Sequence, residues 1–268
     1  MLEQLIKTLI LGIIQGLTEW LPISSTGHLK IAEHYLQFLT PENTLLFEFT
    51  LHIGTLIVVL LFFRKDIMKI LSALARLDFK SEHGKFVPLI IVGTIPAAAI
   101  GIILQKYMTP IFQDILPISM AFIILGIALY ATKTSREQTD NISVLTATLI
   151  GIVEGIAIIP GISRSGATIA VALLLGIKRE KAFKFSFLLS IPAVIGAIGY
   201  TYLQDAAALT SAGLGWTEIL VGAVAAMITG YLALKLLWKI LTNRKFYLFA
   251  FYCWLFGIAL IATVLSGF

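Results

Sequence analysis

The sequence has little charge and almost no cysteine. Charged residues make up 13% of the 268 positions, whereas hydrophobic residues make up 58%. So few charges cannot cover the surface of a water-soluble protein of this size, so most of the surface must face lipid. The single cysteine, Cys253, lies inside a long apolar segment. A single cysteine excludes an internal disulfide and a metal site made of cysteines. Cys253 is therefore interpreted as a small hydrophobic residue.

The basic residues exceed the acidic ones, with a net charge of +5 and a pI near 9.3. A basic excess can indicate nucleic-acid binding, but here the lysines and arginines lie in short segments between apolar stretches, where they set membrane topology. Nucleic acid is therefore excluded as a partner.

Six segments are long and apolar enough to cross a bilayer, whose hydrocarbon core of about 30 Å takes about 20 helical residues. They are 44–63, 86–104, 115–132, 185–203, 217–238 and 246–266. Apolar segments recur along the whole chain, so a cleavable signal peptide does not explain them. The sequence predicts an all-α, polytopic membrane protein.

Two further apolar regions, 1–38 and 143–176, are interrupted midway by proline, glycine, serine and threonine. The interruptions read PISSTGH at 22–28 and PGISRSGAT at 160–168. A shift of 139 positions aligns Gly12–Gly16 with Gly151–Gly155, and Ile23–Gly27 with Ile162–Gly166. The chain is therefore predicted to be one membrane domain made of two repeats, at about 1–135 and 140–268.

The basic segments predict the orientation. Segments 64–85, 133–142, 177–184 and 235–245 carry 6, 2, 4 and 4 lysines or arginines, whereas 105–114 carries one and 204–216 none. Basic segments favour the cytoplasm. Region 143–176 is flanked by two basic segments, so it should enter and leave the membrane on the cytoplasmic side. Counting the spans back from there, region 1–38 should enter and leave the membrane on the outer side. The sequence therefore predicts two re-entrant helix-loop-helix hairpins in an inverted-topology repeat, with both termini outside the cytoplasm.

The second hairpin has the composition of an anion site. Broken helix within hydrocarbon needs protein or a water cavity to satisfy its polar groups, so the hairpin tips should line a cavity near the midplane. Residues 163–168 offer hydroxyls, backbone N–H groups and Arg164 close to the start of a helix, an arrangement that suits phosphate. The alternatives are an ion pair of Arg164 with Glu19 or Glu154, and helix capping by the hydroxyls.

The first hairpin carries the groups expected of a catalytic site. Gln15 and Glu19 are four residues apart and share a helix face, which points towards Ser24, Ser25, Thr26 and His28. An intramembrane carboxylate beside a histidine usually has a function. The alternatives are a neutral Glu19 that is hydrogen bonded to the serines, and an interfacial His28.

Two further comparisons divide the roles between the hairpins. Glu48 and His52, four residues apart on the next span, either support the site or lie solvated near the outer interface. Glu154 aligns with Gln15, but Ile158 stands where the first hairpin has Glu19. We therefore expect catalysis on the first hairpin and phosphate binding on the second.

The stretch QGLTE at 15–19, followed by PISSTGH and later by PGISRSGAT, resembles the bacterial undecaprenyl-diphosphate phosphatase family, also called bacitracin-resistance proteins. The resemblance covers the whole chain, and both motifs are long and specific. The family pattern allows Glu or Gln at the first position of its Glu/Gln-x-x-x-Glu motif. This chain has Gln15, so Glu19 serves alone or together with Glu154.

The resemblance implies a phosphatase of the bacterial plasma membrane that removes the terminal phosphate of undecaprenyl diphosphate and so recycles the lipid carrier of cell-wall synthesis. Ser25 would attack the phosphorus and Glu19 or His28 would accept its proton, while Arg164 steadies the phosphate oxygens. His28 is the alternative nucleophile. The implied substrate-binding residues are Gln15, Ser24, Thr26, Gly27, Glu154, Ser163, Ser165, Gly166 and Thr168. A divalent cation, Mg²⁺ or Ca²⁺, is also implied, with Glu19 as its ligand.

Two competing functions remain to be compared. Type 2 phosphatidic acid phosphatases need a later histidine with a supporting aspartate, and no histidine follows Thr168, which argues against them. A lipid or small-molecule transporter is the stronger alternative, because inverted repeats with broken helices are a transporter design. A homodimer is compatible with the sequence, which does not determine the oligomeric state.

Overall fold

The computed structural model describes residues 2–36, 41–112, 114–211 and 215–266. Within these ranges the chain forms α-helices joined by turns. They are α1 (Leu2–Trp20), α2 (Ser25–Leu36), α3 (Pro41–Phe62), α4 (Arg64–Ala75), α5 (Phe86–Ile111), α6 (Ile115–Ala131), α7 (Val144–Ile156), α8 (Arg164–Leu174), α9 (Arg179–Ser211), α10 (Trp216–Thr242) and α11 (Phe249–Leu265).

Six stretches of helix are long and apolar enough to cross a membrane, which confirms the predicted all-α polytopic fold. They are Thr44–Phe62, Phe86–Gln105, Ile115–Thr134, Arg179–Asp205, Trp216–Thr242 and Phe246–Leu265. Large apolar side chains on their outer faces are open to lipid; Ile95 of α5, for example, is 64% exposed. The predicted span 185–203 belongs to α9, which begins several residues before the predicted start, at Arg179. Hydropathy marks only the part of a helix that lies within hydrocarbon, and the charged first turns of α9 extend beyond that part.

Helix α4 was not predicted, because it lies in a segment interpreted as a basic loop. Its apolar residues Met68 and Leu71 are 61% and 56% exposed, and Arg64, Lys65 and Lys69 lie on the same short helix. An amphipathic helix with an uncovered apolar face and several basic residues is typical of one that lies in the membrane interface.

The two interrupted regions form the predicted helix pairs, α1 with α2 and α7 with α8. The first turn contains Ser24 with a positive φ of 65°, and the second contains Gly161 with a φ of 97°. A side chain at Gly161 is also excluded by space, since a Cβ there would lie 2.5 Å from the carbonyl oxygen of Ile118. The turn residues thus break each helix and let the tip approach α6.

The first helix of each pair packs against a helix of the other half, α1 against α10 and α7 against α5. Small residues make both contacts close. A Cβ at Gly12 would lie 2.4 Å from the Gly222 carbonyl oxygen, and one at Gly151 would lie 2.0 Å from that of Gly93. Small residues let helix backbones touch in membranes. Gly12 and Gly151 are aligned by the 139-residue shift, so residues at matching positions make both close contacts.

Ion pairs join the four basic segments to one another. The pairs are Asp66 with Lys184 at 2.7 Å, Glu82 with Lys181 at 2.6 Å, and Glu137 with both Arg179 and Arg244. The segments that were predicted to share one side of the membrane therefore lie together at one end of the helices.

Candidate active site

The tips of the two hairpins touch through serine hydroxyls and backbone groups. The Gly161 amide donates to Ser24 Oγ at 3.0 Å, and Ser165 Oγ donates to the Trp20 carbonyl oxygen at 3.0 Å. Gly166 lies against Pro22, since a Cβ at Gly166 would be 3.0 Å from the proline Cβ. The two interrupted segments of the sequence, 22–28 and 160–168, therefore lie against each other.

Ser24 and Ser163 cap the second helix of each pair. Ser24 Oγ accepts from the Gly27 amide at 3.4 Å, and Ser163 Oγ accepts from the Gly166 amide at 3.1 Å. Helix capping, the alternative to phosphate binding by these hydroxyls in the sequence analysis, is therefore what Ser24 and Ser163 do in this structure. The residue that follows each cap is the first of its helix: Ser25 on α2 and Arg164 on α8. A hydroxyl and a guanidinium are thus placed at two helix N-termini, where anions are favoured.

Ser25 and Glu19 form the closest side-chain contact of the site. Ser25 Oγ donates to Glu19 Oε2 at 2.6 Å, and Gln15 Nε2 donates to the same oxygen at 3.2 Å. The three residues are buried, with Ser25 the most exposed at 9%. A short hydrogen bond from a hydroxyl to a carboxylate is the geometry of a nucleophile with its general base.

His52 of α3 reaches the same carboxylate. Its Nε2 lies 4.0 Å from Glu19 Oε2, and its Nδ1 donates to the Glu48 carbonyl oxygen at 2.8 Å. Because a carbonyl oxygen only accepts, Nδ1 carries the proton. Glu48 and His52 were expected either to support the site or to lie solvated near the outer interface. For His52, the supporting role fits this geometry.

A narrow cavity lies between α1, α8 and α9. It is lined by Glu19, Trp20, Arg164, Ser165, Thr168, Ser186, Phe187 and Ser190. Arg164 Nη1 and Ser186 Oγ are buried without a hydrogen-bond partner among the described residues. Buried donors are normally satisfied, so these two are available to an anion that enters the cavity.

Sequence reasoning did not select Ser186 and Ser190 of α9 as site residues. Ser186 is 3% exposed and Ser190 4%, and Ser190 Oγ donates to the Phe187 carbonyl oxygen at 2.9 Å. The available signal was a pair of serines four residues apart on an otherwise apolar span, which puts both on one helix face.

The Arg164 guanidinium lies in one cavity with Glu19 of the first hairpin and within electrostatic range of Glu154 on its own hairpin. Thr168 Oγ1 donates back to the Arg164 carbonyl oxygen at 2.8 Å, so this hydroxyl is occupied within the helix. The ion-pair alternative and the phosphate-binding interpretation of Arg164 are therefore both compatible with where its side chain lies.

His28 faces α11, away from Glu19. Its Nδ1 donates to the Ser24 carbonyl oxygen at 2.8 Å, its Nε2 lies 2.7 Å from the Tyr252 hydroxyl, and its ring stacks on Phe256 with centroids 4.5 Å apart. Both ring nitrogens are thus engaged elsewhere in this conformation. The structure brings Glu19 and Arg164 to one cavity and joins Ser25 to Glu19 by a hydrogen bond, whereas His28 faces α11.

Thr26 and Gly27 lie in the first turn of α2. Thr26 is half-buried, and a Cβ at Gly27 would lie 2.9 Å from the Phe122 ring. Gly27 therefore allows close packing of the hairpin tip.

The donor set suits a divalent ion only in part. The described residues contain no group of three His, Cys, Asp or Glu side chains that could enclose a metal. Mg²⁺, however, is often held by one or two carboxylates together with phosphates of the substrate and water. Glu19 is such a carboxylate, so the site fits an ion that arrives with a phosphorylated substrate better than a resident one.

Comparison with known proteins identifies the family of this chain. Relatives with the name undecaprenyl-diphosphatase include one from Halothermothrix orenii, 39% identical over 98% of this chain and 99% of its own length. Another from Korarchaeum cryptofilum is 38% identical over 97% and 100%, and an undecaprenyl-diphosphatase 3 from Bacillus cereus is 38% identical over 96% of both chains. The sequence pattern of the family described as bacitracin resistance protein BacA matches residues 8–259. The chain therefore belongs to the bacitracin resistance protein BacA family.

Proposed function

We propose that this protein hydrolyses undecaprenyl diphosphate to undecaprenyl phosphate and inorganic phosphate within the membrane. The observation that carries the proposal is the 2.6 Å hydrogen bond from Ser25 Oγ to Glu19 Oε2, beside a cavity that Arg164 also lines. Several relatives of nearly the same length are named undecaprenyl-diphosphatase. These names favour a phosphatase over the transporter alternative.

The chemistry follows from the Ser25 and Glu19 geometry. Glu19 accepts the hydroxyl proton while Ser25 Oγ forms a bond to the terminal phosphorus, and the bond from that phosphorus to the bridging oxygen breaks. Undecaprenyl phosphate leaves; because it is itself a phosphate, it needs no strong acid. Glu19 gives the proton that it accepted to the departing undecaprenyl phosphate and is again a carboxylate. It then takes a proton from the water that attacks the phosphoserine, the bond from phosphorus to Ser25 Oγ breaks, and Glu19 returns the proton to Ser25 Oγ as inorganic phosphate leaves.

The anion is held by groups that lack acceptors of their own. Arg164 Nη1 and Ser186 Oγ are free to donate to phosphate oxygens, and the N-termini of α2 and α8 add partial positive charge. In a site closed to water such preorganised donors stabilise the charge that develops in the transition state. A bound Mg²⁺ or Ca²⁺ would neutralise further phosphate charge, with Glu19 as its protein ligand.

Phosphate release by the purified protein in lipid nanodiscs tests this function. We expect release from undecaprenyl diphosphate by the native protein and none by Ser25→Ala, because the alanine has no nucleophile. Ser119→Ala is the matched control. Ser119 is a fully buried serine whose hydroxyl donates to the Ile115 carbonyl oxygen at 2.7 Å, away from the cavity. Near-normal release by Ser25→Ala would assign the nucleophile to His28 or to water.

We further propose that the protein is a multi-pass protein of the plasma membrane with its basic end in the cytoplasm and both termini outside. The ion pairs that gather the four basic segments support one shared side for them, and the excess of lysine and arginine there favours the cytoplasm. Assembly as a homodimer stays a prediction.

A further inference from the structure

Helix α4 is held to the rest of the protein along one side. Asp66 pairs with Lys184 of α9 at 2.7 Å. Ile67 and Ile70 pack against the apolar core, and Ala73 is buried. The spacing of these four residues of α4 puts them on one side of the helix. The residues on the opposite side are exposed.

The exposed side of α4 has an apolar strip next to a row of basic residues. Met68 and Leu71, both more than half exposed, form the apolar strip. Lys65, Lys69 and Arg76 follow one another at intervals of four and seven residues, which aligns them along the helix. All three are exposed, and in the part of the chain that the structure describes none of them forms an ion pair with a carboxylate. These three residues are called the α4 basic row below.

The neighbouring spans place α4 at the membrane surface. The spanning part of α3 ends at Phe62, two residues before α4 begins at Arg64, and the next spanning helix begins at Phe86. The helix therefore lies where hydrocarbon gives way to headgroups. At that depth the apolar strip can enter the acyl boundary while the adjacent cations stay at the level of the lipid phosphates.

We propose that the α4 basic row is a docking surface for phospholipids with a net negative headgroup, such as phosphatidylglycerol, in the leaflet at the basic end of the protein. A zwitterionic headgroup carries its own cation beside the phosphate. The row has three cations without carboxylate partners, so an anionic headgroup complements it and a zwitterionic one does not. This inference does not depend on the proposed phosphatase function.

A lipid probe placed on α4 tests the inference in proteoliposomes. Ser72 is exposed and lies between the apolar strip and the basic row, so a bimane fluorophore attached at Ser72→Cys reports on lipids that contact this side. The bilayer is phosphatidylcholine with a minor fraction of phosphatidylglycerol, and one lipid or the other carries a nitroxide quencher near its headgroup, at the same mole fraction. Protein with only the buried Cys253 gives the background.

The ratio of quenching by labelled phosphatidylglycerol to quenching by labelled phosphatidylcholine measures the local enrichment of the anionic lipid. We expect a ratio of about 5 or more for the native row, because a single lysine or arginine at the surface attracts anionic lipid by about fivefold. The variant Lys65→Gln/Lys69→Gln/Arg76→Gln should bring the ratio to about 1, since the attracting charges are gone.

The matched control is Lys133→Gln/Arg136→Gln/Lys245→Gln. It removes the same charge from three exposed cations of the basic end that lie outside α4, and it should keep the native ratio. The inference is overturned if the native row shows no enrichment, if the two triple variants lose it equally, or if both lipids quench weakly. Weak quenching by both would mean that protein, such as a second copy of the chain, covers α4.

The native row also provides a test that needs no charge substitution. Added salt should lower its quenching ratio, because charges exposed to solvent are screened. A ratio that salt leaves unchanged would overturn the inference. Phosphate release from undecaprenyl diphosphate, measured in the same proteoliposomes, reports separately on the proposed function, so the two can fail independently.

Discussion

The contact between α7 and α5 allows a quantitative prediction for Gly151→Ala. The added Cβ would lie 2.0 Å from the Gly93 carbonyl oxygen, and ordinary contact begins at 3.4 Å. The two helices must therefore part by about 1.4 Å. Because the atom that is met belongs to backbone, no side chain can rotate away to relieve the clash.

Overpacking of this kind costs about 1–3 kcal/mol. For proteins of about this size each kcal/mol lowers the melting temperature by about 2–4 °C, so we expect Gly151→Ala to melt about 2 to 12 °C lower. Gly12→Ala, at the related contact of α1 with α10, should behave similarly, since its Cβ would lie 2.4 Å from the Gly222 carbonyl oxygen.

Gly101→Ala is the matched control, because Gly101 lies on α5 with nothing within 4 Å of an added Cβ. Alanine is a better helix former than glycine by about 1 kcal/mol, so this variant should melt at or above the native temperature. Thermal unfolding in detergent, followed by the loss of the monodisperse peak, gives the comparison. Equal melting temperatures for Gly151→Ala and Gly101→Ala would refute the close helix contact.

Three further predictions concern the site and its orientation. Glu19→Gln should lose about 10²- to 10⁴-fold in turnover, because the amide cannot accept the Ser25 proton, and should lose any dependence on added Mg²⁺; turnover measured with and without the ion tests both, and an active variant would remove Glu19 from catalysis. Arg164→Lys should stay folded and lose most of its turnover, since lysine keeps the charge but not the two-point geometry of guanidinium; a native rate would leave Arg164 with only a charge to contribute. In intact cells, a cysteine placed at position 208 should react with an impermeant thiol reagent and one at 80 should not, while the buried Cys253 serves as the native background; the opposite pattern would reverse the orientation.

The membrane-spanning helices were predicted from the sequence to within a few residues, with the start of α9 as the main exception. Hydropathy works here because hydrocarbon selects for apolar side chains over a fixed length. It does not report where a helix continues into a polar layer, so the charged start of α9 was missed. Helix α4 was missed for a related reason: an interfacial helix mixes basic and apolar residues and has no continuous apolar stretch.

The site was predicted in its composition and only partly in its arrangement. The spacing of Gln15 and Glu19 placed both on one face, and the structure joins them to Ser25 through Glu19. The same reasoning grouped His28 with Glu19, whereas the structure turns the imidazole to Tyr252 of α11. Sequence spacing determines which residues share a helix face, but it does not say which distant helix covers that face.

The sequence by itself determined the class of protein, the number of spans, the two broken helices and their internal relation, because each depends on local composition or on spacing along one helix. The tertiary structure alone decided which residues meet. Ser186 of α9 and Arg164 of α8 line one cavity, and His52 of α3 approaches Glu19 of α1. These contacts depend on how separate helices pack against one another. Close packing is permitted by small residues such as Gly12 and Gly151, which act through backbone contact between helices far apart in the chain.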